Sequence, residues 1–247
     1  MLATCAADEM DALLARLEGD ARAGVRALAA VRRRALQRDR AEAARLASLM
    51  ARQRELHARG MTLVAGLDEV GRGALAGPVT AAAVVLDVRC VIDGLDDSKK
   101  LRPGLRREVA ERVRARARAV CVAHASPAEI DGLGIGEATR LAWRRAVDGL
   151  GMAVDHILVD GNDSRLGRPS TPVVGGDSTC ACIAAASVVA KVERDDMMEA
   201  LAAEYPGYGF ELNRGYGTRE HLDAIDRMGP SSIHRRSFAP CAQRPLF

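Results

Sequence analysis

The sequence contains few aromatic residues, little lysine and no long apolar run. Its 247 residues include no window of 18 apolar residues, and the start of the chain lacks the positive charge and apolar core of a signal peptide, so we expect neither a membrane span nor secretion. The six cysteines are scattered, and the one close pair, Cys180 and Cys182, has neither zinc-site spacing nor neighbouring histidines. These absences predict a soluble, cytoplasmic protein with reduced thiols.

Basic charge is concentrated near the amino terminus. Residues 1–61 carry 12 arginines and 8 acidic residues, a net charge of +4, whereas the rest of the chain is close to neutral. From Asp8 to about Arg59 there is no proline, and leucines recur at helical spacing, which predicts a helical arm. Five arginines between residues 32 and 40 give this arm a basic surface that suits phosphate contact, although such a charge run is more often a solvated face.

A short apolar run is followed by two adjacent carboxylates and a glycine-rich turn. Thr62–Leu67 predicts a β-strand, and Asp68 and Glu69 come where that strand would leave the sheet, before the turn Gly71–Gly77. A dinucleotide-binding turn is excluded, because the carboxylates would repel a pyrophosphate and because Pro78–Leu86 predicts a strand where that fold needs a helix. An ordinary hairpin turn remains the alternative.

Two further aspartates occupy comparable positions. Asp155–Gly161 predicts a short strand with Asp160 at its carboxyl end, where open α/β sheets place their ligand chemistry. Asp177 follows two glycines and precedes an alanine-rich helix predicted from Thr179 to about Glu204. An Asp-Gly turn would also explain Asp160, and helix capping would also explain Asp177, so both alternatives stay open.

The remaining patterns predict alternating strands and helices. Ser187 and Lys191 are four residues apart and share one face of the long helix, where they would either meet a phosphate or face water. The other predicted elements are a strand over Ala119–Ala125 and helices over Pro103–Arg118, after the capping box Ser126–Glu129, and over Gly136–Leu150.

The few aromatic residues cluster near the carboxyl terminus. Part of this cluster is expected to pack a carboxyl-terminal lobe. Tyr216 differs from the others because glycines flank it, which suits stacking on a sugar or base better than a core position. Six of the seven aromatics belong to the cluster: Tyr205, Tyr208, Phe210, Tyr216, Phe238 and Phe247.

Four carboxylates beside glycine backbone, with no Ser-His or Cys-His pairing, predict a two-metal phosphodiester site. Mg²⁺ prefers oxygen ligands and keeps several waters, so one ion would activate water and the other would stabilise the leaving 3′ oxygen. Without metal the clustered carboxylates would repel one another, so we expect the metal to be obligatory. The competing interpretation is a non-catalytic nucleic-acid binding module, which would gain nothing from acidic residues facing a phosphate backbone.

Six short motifs, taken in order, resemble those of bacterial ribonuclease HII. The resemblance spans roughly residues 62–240, including a tail with His234-Arg-Arg-Ser-Phe238, and leaves residues 1–60 outside. The motifs are Asp68-Glu-Val-Gly-Arg-Gly73, Asp97-Ser-Lys-Lys-Leu101, Val159-Asp-Gly161, Gly176-Asp177, Ala185-Ala-Ser-Val-Val-Ala-Lys191 and Gly215-Tyr-Gly-Thr-x-x-His221.

The resemblance implies an α/β fold of the ribonuclease H-like type. Such a fold has a five-stranded mixed sheet flanked by helices and a small helical carboxyl-terminal part, here with an amino-terminal helical extension. The implied domains are a basic helical extension over residues 1–60, a catalytic core over 61–204 and a carboxyl-terminal region over 205–247 that carries the tyrosine.

The resemblance also implies an activity and a role for each motif. The activity is metal-dependent hydrolysis of the RNA strand of RNA–DNA hybrids and incision 5′ of single ribonucleotides in duplex DNA, leaving 3′-hydroxyl and 5′-phosphate ends. We expect a monomer that binds these nucleic acids and no membrane. The implied roles are two Mg²⁺ or Mn²⁺ ions held by the catalytic residues Asp68, Glu69, Asp160 and Asp177, a 2′-hydroxyl-reading loop Gly71, Arg72 and Gly73, stacking at the RNA–DNA junction by Tyr216, and substrate contacts by Lys99, Ser187 and Lys191.

Overall fold

The computed structural model describes residues 2–242, with side chains described from Glu9 onward. Cys5 and Phe247 therefore lie outside the described side chains. Contacts divide the chain into two units, Met1–Ser48 and Leu49–Phe247. The domain boundaries expected near residues 60 and 204 stay predictions. No helix within residues 2–242 is long and apolar enough to cross a membrane.

Two helices make up the amino-terminal unit. Helix α1 spans Leu2–Glu18, and helix α2 spans Ala23–Leu49, so that its last residue reaches the second unit. An ion pair joins the two helices, with Arg33 Nε lying 2.6 Å from Glu18 Oε1. The arm is helical as predicted, because its proline-free, alanine-rich and arginine-rich sequence has high helix propensity, and only residues 19–22 and Met50 interrupt it before Ala58.

The second unit holds five strands and the remaining helices. The helix α3 (Ala51–Ala58) precedes the first strand and ends before Gly60. The other elements follow in the order β1 (Val64–Val70), β2 (Val79–Val85), α4 (Pro103–Arg116), β3 (Ala119–Ala125), α5 (Pro127–Leu133), α6 (Ile135–Asp148), β4 (His156–Asp160), β5 (Ser170–Val173), α7 (Gly176–Thr179), α8 (Ala181–Glu204), α9 (Phe210–Asn213), α10 (Arg219–Met228) and α11 (Ala239–Ala242).

The strands form one mixed sheet in the order β3-β2-β1-β4-β5. Strand β2 is antiparallel to both β3 and β1, whereas β1, β4 and β5 run parallel to one another. Every residue of β2 is buried, because β1 and β3 flank it and both α6 and α8 pack on the sheet. The predicted five-stranded mixed sheet flanked by helices is confirmed.

Helix α8 packs very closely on β1, next to the carboxylates. A Cβ atom added to Gly66 would lie 2.1 Å from the carbonyl carbon of Cys182, so only glycine allows this approach. The first turns of α8 are buried and consist mostly of small residues, among them Ala181, Cys182 and Ala184–Ala186, which fit the narrow gap. This close packing fixes the position along β1 at which Ser187, one turn further along α8, lies.

The structure corrects two predicted element boundaries. Strand β1 does not end at Leu67, because Asp68 and Glu69 continue its antiparallel ladder opposite Ala82 and Ala81. The parallel ladder with β4 does stop at Leu67, so the carboxylates lie just beyond it on that side. The helix predicted to begin at Thr179 is interrupted at Cys180, whose extended backbone separates α7 from α8.

The carboxyl-terminal aromatics form a second core beside the sheet, as predicted for part of the cluster. Tyr208 and Phe210 stack with ring centroids 5.4 Å apart, and His221 and His234 pack against both rings. Ala76, from the segment between β1 and β2, belongs to the same core. The tail of the chain is thereby packed against the segment that follows the carboxylates.

Candidate active site

Asp68 and Glu69 point to opposite faces of the sheet, as neighbours in a strand do. Asp68 is buried on the α8 side, where Ser187 hydrogen-bonds to it. Its Oδ1 accepts a 2.7 Å hydrogen bond from the backbone N–H of Glu69. Desolvation, followed by the charges of Glu69 and Asp160, raises the pKa of Asp68 well above its usual range. Asp68 therefore lies in a place that disfavours its ionised form unless a cation is near.

Glu69 is held on the α6 side by two donors. The indole Nε1–H of Trp143 donates to Glu69 Oε2 at 3.0 Å, and Arg72 Nη1 donates to Oε1 at 3.1 Å. Burial raises the pKa of Glu69, while Arg72 and Trp143 counteract that effect. Both carboxylate oxygens thus have a fixed orientation, which is what a metal ligand requires.

Asp160 lies at the carboxyl end of β4, as predicted. Its Oδ1 accepts a 2.8 Å hydrogen bond from the backbone N–H of Gly176, which joins the end of β4 to the start of α7. Desolvation and then the nearby charge of Asp177 raise the pKa of Asp160. The contact with Gly176 therefore brings the third and fourth carboxylates together across 16 residues of sequence.

Asp177 does not cap a helix, which was one of the open alternatives. Its Oδ2 instead accepts a 3.1 Å hydrogen bond from Lys99 Nζ, and the side chain is buried. This contact raises the pKa of Lys99. The loop that carries Lys99 is ordered in turn by Asp97, whose Oδ1 accepts the backbone N–H of Lys99 at 2.9 Å.

The structure separates the two residues that were expected to share a substrate-facing helix surface. Ser187 is buried at the site, where its Oγ lies 3.0 Å from Ser98 Oγ. Lys191 forms an ion pair with Asp195, at 2.7 Å, and borders a different surface cleft together with Arg106. Its predicted contact with substrate stays a prediction.

The turn after the carboxylates is built around Gly71. Its φ of +89° lies in the left-handed region, and a Cβ atom there would lie 2.1 Å from Arg194 Nε, so two constraints require glycine. Gly73 has open space where a Cβ would be, so its backbone is accessible to a ligand. Arg72 is mostly exposed apart from its bond to Glu69.

Tyr216 is half-buried and lies over a buried cation. The guanidinium carbon of Arg194 is 5.3 Å from the centroid of the Tyr216 ring, and the Tyr216 N–H donates to the Asn213 carbonyl at 2.9 Å. Gly215 accepts backbone hydrogen bonds from Leu75 and Ala76, at 2.7 and 3.3 Å. The tyrosine predicted to stack on substrate is thereby attached to the segment that follows Gly71–Gly73.

Family models match nearly the whole chain: Ribonuclease HII over residues 65–241, and Ribonuclease HII N-terminal domain over residues 1–57. The chain belongs to the ribonuclease HII family. The ribonuclease HII of Moorella thermoacetica is 49% identical over 198 residues, which cover 80% of this chain and 96% of that protein.

Solved structures of ribonucleases H have a similar fold. The ribonuclease H2 from Pyrococcus horikoshii OT3 matches with a TM-score of 0.63 at 25% identity, over 73% of this chain and 96% of its own. Bst-RNase HIII in complex with Mn²⁺ matches with a TM-score of 0.61 at 21% identity, over 75% of this chain and 70% of its own.

Membership of the ribonuclease HII family confirms the expected ribonuclease H-like fold and the expected class of enzyme. The chain is a ribonuclease H, an endoribonuclease that acts on RNA–DNA hybrids. The interpretation as a non-catalytic binding module is therefore wrong. The match over residues 1–57 also extends the resemblance into the helical arm, which the motifs alone had left outside.

The four carboxylates of this chain suit hard divalent cations. All four side chains offer oxygen ligands, and the pKa values of Asp68, Glu69 and Asp160 are raised by burial and by neighbouring negative charge. Among the described side chains, no three of His, Cys, Asp or Glu are grouped so that they could hold one ion by themselves. Mg²⁺ is commonly bound by one or two carboxylates together with waters and substrate phosphate, which fits this arrangement.

A cavity of about 700 Å³ opens beside Glu69. Arg72 and Trp143, the two residues that hold Glu69, form part of its wall, together with Arg140, Asn162 and Arg165. Its size lies within the usual range of ligand pockets, and its lining is polar and basic. The cavity therefore lies next to the two residues that orient Glu69.

Signals in the sequence are weak or absent for three residues that shape this site. Trp143 could have been noticed as the only tryptophan, within a predicted helix. Arg194 and Arg235 are fully buried, but no sequence pattern distinguishes them from the 34 other basic residues of the chain. Their partners are backbone carbonyls, which no sequence pattern reveals.

Proposed function

We propose that this enzyme incises duplex DNA on the 5′ side of a single embedded ribonucleotide, in addition to cutting RNA–DNA hybrids, and leaves 3′-hydroxyl and 5′-phosphate ends. The observation that carries the proposal is that carboxylates whose pKa values are raised by burial and by neighbouring charge lie directly beside the turn Gly71–Gly73, and that the segment after this turn is bonded to Gly215, next to Tyr216. This arrangement supports hydrolytic chemistry and two kinds of sugar recognition within one site.

Asp68, Glu69, Asp160 and Asp177 would hold two divalent ions, Mg²⁺ or Mn²⁺. Bound ions would supply the positive charge that activates water and stabilises the leaving 3′ oxygen. The relative whose structure is described as a complex with Mn²⁺ supports this choice of metal. The negative charge of the carboxylates, which disfavours their ionised forms in the free protein, favours cation binding.

Neighbouring residues orient these four ligands. Trp143 and Arg72 each hold one oxygen of Glu69, and Ser187 hydrogen-bonds to Asp68. Lys99 neutralises Asp177 in the free protein, and its exposed ammonium could move to a substrate phosphate when a metal ion replaces it. Such partners usually affect metal affinity or activity by about 10- to 100-fold.

Two features would distinguish a ribonucleotide from its deoxy neighbour. The open backbone at Gly73, brought close by the turn at Gly71, can hydrogen-bond a 2′-hydroxyl. The Tyr216 ring can stack on the next sugar, and a stacked ring favours a sugar that lacks that hydroxyl. Together they would recognise the junction where RNA is followed by DNA.

A cleavage assay tests the proposal. The substrate is a labelled DNA duplex with one ribonucleotide, incubated with Mg²⁺, with Mn²⁺ or with EDTA, and the same duplex without the ribonucleotide is the control. We expect one metal-dependent product that ends 5′ of the ribonucleotide and that a polymerase extends from its 3′-hydroxyl. Cleavage in EDTA would contradict the metal assignment, and cleavage only of continuous hybrid would contradict junction recognition.

A further inference from the structure

A chain of hydrogen bonds leads from the tail of the protein to the backbone of Tyr216. The N–H of Ser231 donates to His234 Nδ1 at 2.9 Å, so this nitrogen is an acceptor. In the neutral ring the proton then sits on Nε2, which donates to His221 Nε2 at 3.0 Å. His221 is left with its proton on Nδ1, which donates to the Tyr216 carbonyl at 2.9 Å.

One backbone donor thus fixes both tautomers and the direction of every bond in the relay. Both imidazoles are fully buried, and burial lowers the pKa of each, His234 to about 4, so the neutral forms persist at neutral pH. The Tyr216 carbonyl therefore accepts a hydrogen bond from His221, whose tautomer is set by Ser231, 15 residues after Tyr216.

The next residue of the tail holds the other recognition element. Within the described chain, the Arg235 guanidinium donates to three backbone carbonyls, those of Gly71 at 2.6 Å, Arg72 at 2.8 Å and Gly77 at 3.0 Å. Its side chain is fully buried, and desolvation followed by the charge of Arg194 lowers its pKa to about 9. A buried cation is costly, so its retention here points to a geometric requirement that a planar fork of donors satisfies.

Backbone pairing joins these two tail residues to the segment that follows the glycine turn. His234 forms an antiparallel bridge with Ala76, and the Arg235 N–H donates to the Leu75 carbonyl at 2.8 Å. The same Leu75 donates its N–H to Gly215, next to Tyr216. The segment after the glycine turn therefore lies between the tyrosine loop and the tail, bonded to both.

We propose that Ser231–Arg235 is a positioning segment that fixes the spacing between the Gly71–Gly73 loop and the Tyr216 ring, and thereby sets the preference for a ribonucleotide junction over a continuous hybrid. The inference rests on the proposed function, because that function assigns the Gly71–Gly73 loop and the Tyr216 ring to opposite sides of the junction. Neither His234 nor Arg235 touches the carboxylates, so both act through the elements they hold.

Adjacent arginines provide a matched test. Arg235→Lys keeps the charge but loses the planar fork, whereas Arg236→Lys makes the same change at a residue whose backbone N–H is bonded to Asp131. For each variant, kcat and KM are measured on a duplex with one ribonucleotide and on a continuous RNA–DNA hybrid. We expect Arg235→Lys to lower the ratio of the two kcat/KM values by roughly tenfold, and Arg236→Lys to leave it unchanged, because small misplacements of binding groups have large kinetic effects.

Combining Arg235→Lys with Tyr216→Ala gives a second readout. If the arginine acts through the spacing, its selective effect should disappear once the tyrosine ring is gone, whereas independent effects would add. The histidine relay is tested by His221→Phe, which removes the donor to the Tyr216 carbonyl, and His221→Asn, whose amide can restore it. We expect the asparagine variant to recover part of the lost selectivity.

The outcomes separate this inference from the function on which it rests. Equal losses on the two substrates, or additive effects in the double variant, would overturn the positioning role. A wild-type enzyme that does not incise at a single ribonucleotide would instead overturn the proposed function. Thermal unfolding of every variant identifies losses caused by misfolding, and the His221 pair tests the same spacing if Arg235→Lys does not fold.

Discussion

Replacing Asp68 by asparagine should abolish turnover and, in the absence of divalent ions, make the protein more stable. Asparagine has nearly the same shape and can still accept the 2.7 Å hydrogen bond from the Glu69 N–H. The substitution removes a buried negative charge whose pKa is raised by desolvation and by Glu69 and Asp160. Relief of such an unfavourable charge should raise the free energy of unfolding by about 0.5–2 kcal/mol, the usual gain from a stabilising substitution.

Activity should change in the opposite direction and by more. Loss of one ligand of a catalytic metal removes several kcal/mol of transition-state stabilisation. Because each 1.36 kcal/mol corresponds to a factor of ten, cleavage should slow by about a thousandfold or more. A residue that served only packing would show loss of stability and activity together, so the opposite signs are the diagnostic feature.

The assay pairs single-turnover cleavage in Mg²⁺ with urea unfolding in EDTA. The control is Asp148→Asn, which removes the same charge from an exposed ion pair with Arg168 and should change stability by less than about 0.5 kcal/mol and activity not at all. Retention of more than about a tenth of wild-type activity by Asp68→Asn would refute the ligand assignment. A clear loss of stability in EDTA would refute the argument from buried charge.

Four further outcomes are expected. Trp143→Phe keeps the ring but loses the donor to Glu69, so kcat should fall by about tenfold with little change in KM, and an unchanged kcat would show that the bond is dispensable. Tyr216→Ala should cost roughly 1–3 kcal/mol, the usual value of a stacking contact, mainly on the junction substrate, whereas equal losses on continuous hybrid would make Tyr216 a packing residue. Changing both Arg34 and Arg38, which border one groove of α2, to glutamine should raise KM and flatten its salt dependence while single-turnover rates at saturation stay the same. Lowering the pH from 6.5 to 4 should destabilise the fold by up to about 3 kcal/mol through His234, because the unfolded chain binds a proton in this range that the folded protein binds only near pH 4. In urea titrations, the free energy of unfolding of His234→Phe should lack this part of the pH dependence.

The predictions from sequence succeeded where chemistry and local pattern coincide. Asp160 precedes a glycine at the end of an apolar run, and the structure places it at the end of β4. The capping box at Ser126 and Glu129 forms both of its reciprocal hydrogen bonds. In these cases the residues that determine the geometry are within a few positions of one another, so a single sequence contains the information.

The predictions were less accurate where the partner is distant in sequence. The extension of β1 through Glu69 depends on pairing with Ala81 and Ala82, and local alternation does not show how far a ladder continues. The contact between Lys99 and Asp177 joins residues 78 positions apart, so a motif could suggest a phosphate contact for the lysine but not its position on a carboxylate. Contacts of this kind depend on the topology of the sheet rather than on propensity.

The two buried arginines show why the proposed recognition surface was the least predictable part of the site. Arg194 donates to the carbonyls of Pro78, Ala76 and Arg214 and lies under the Tyr216 ring, and Arg235 holds the carbonyls of the glycine turn. Carbonyl oxygens are present at every residue, so the specificity of such a contact lies wholly in backbone conformation. On the proposed function, the carboxylates would define what chemistry this enzyme performs, whereas these two cations, by fixing the backbone around them, would define which sugar is cut.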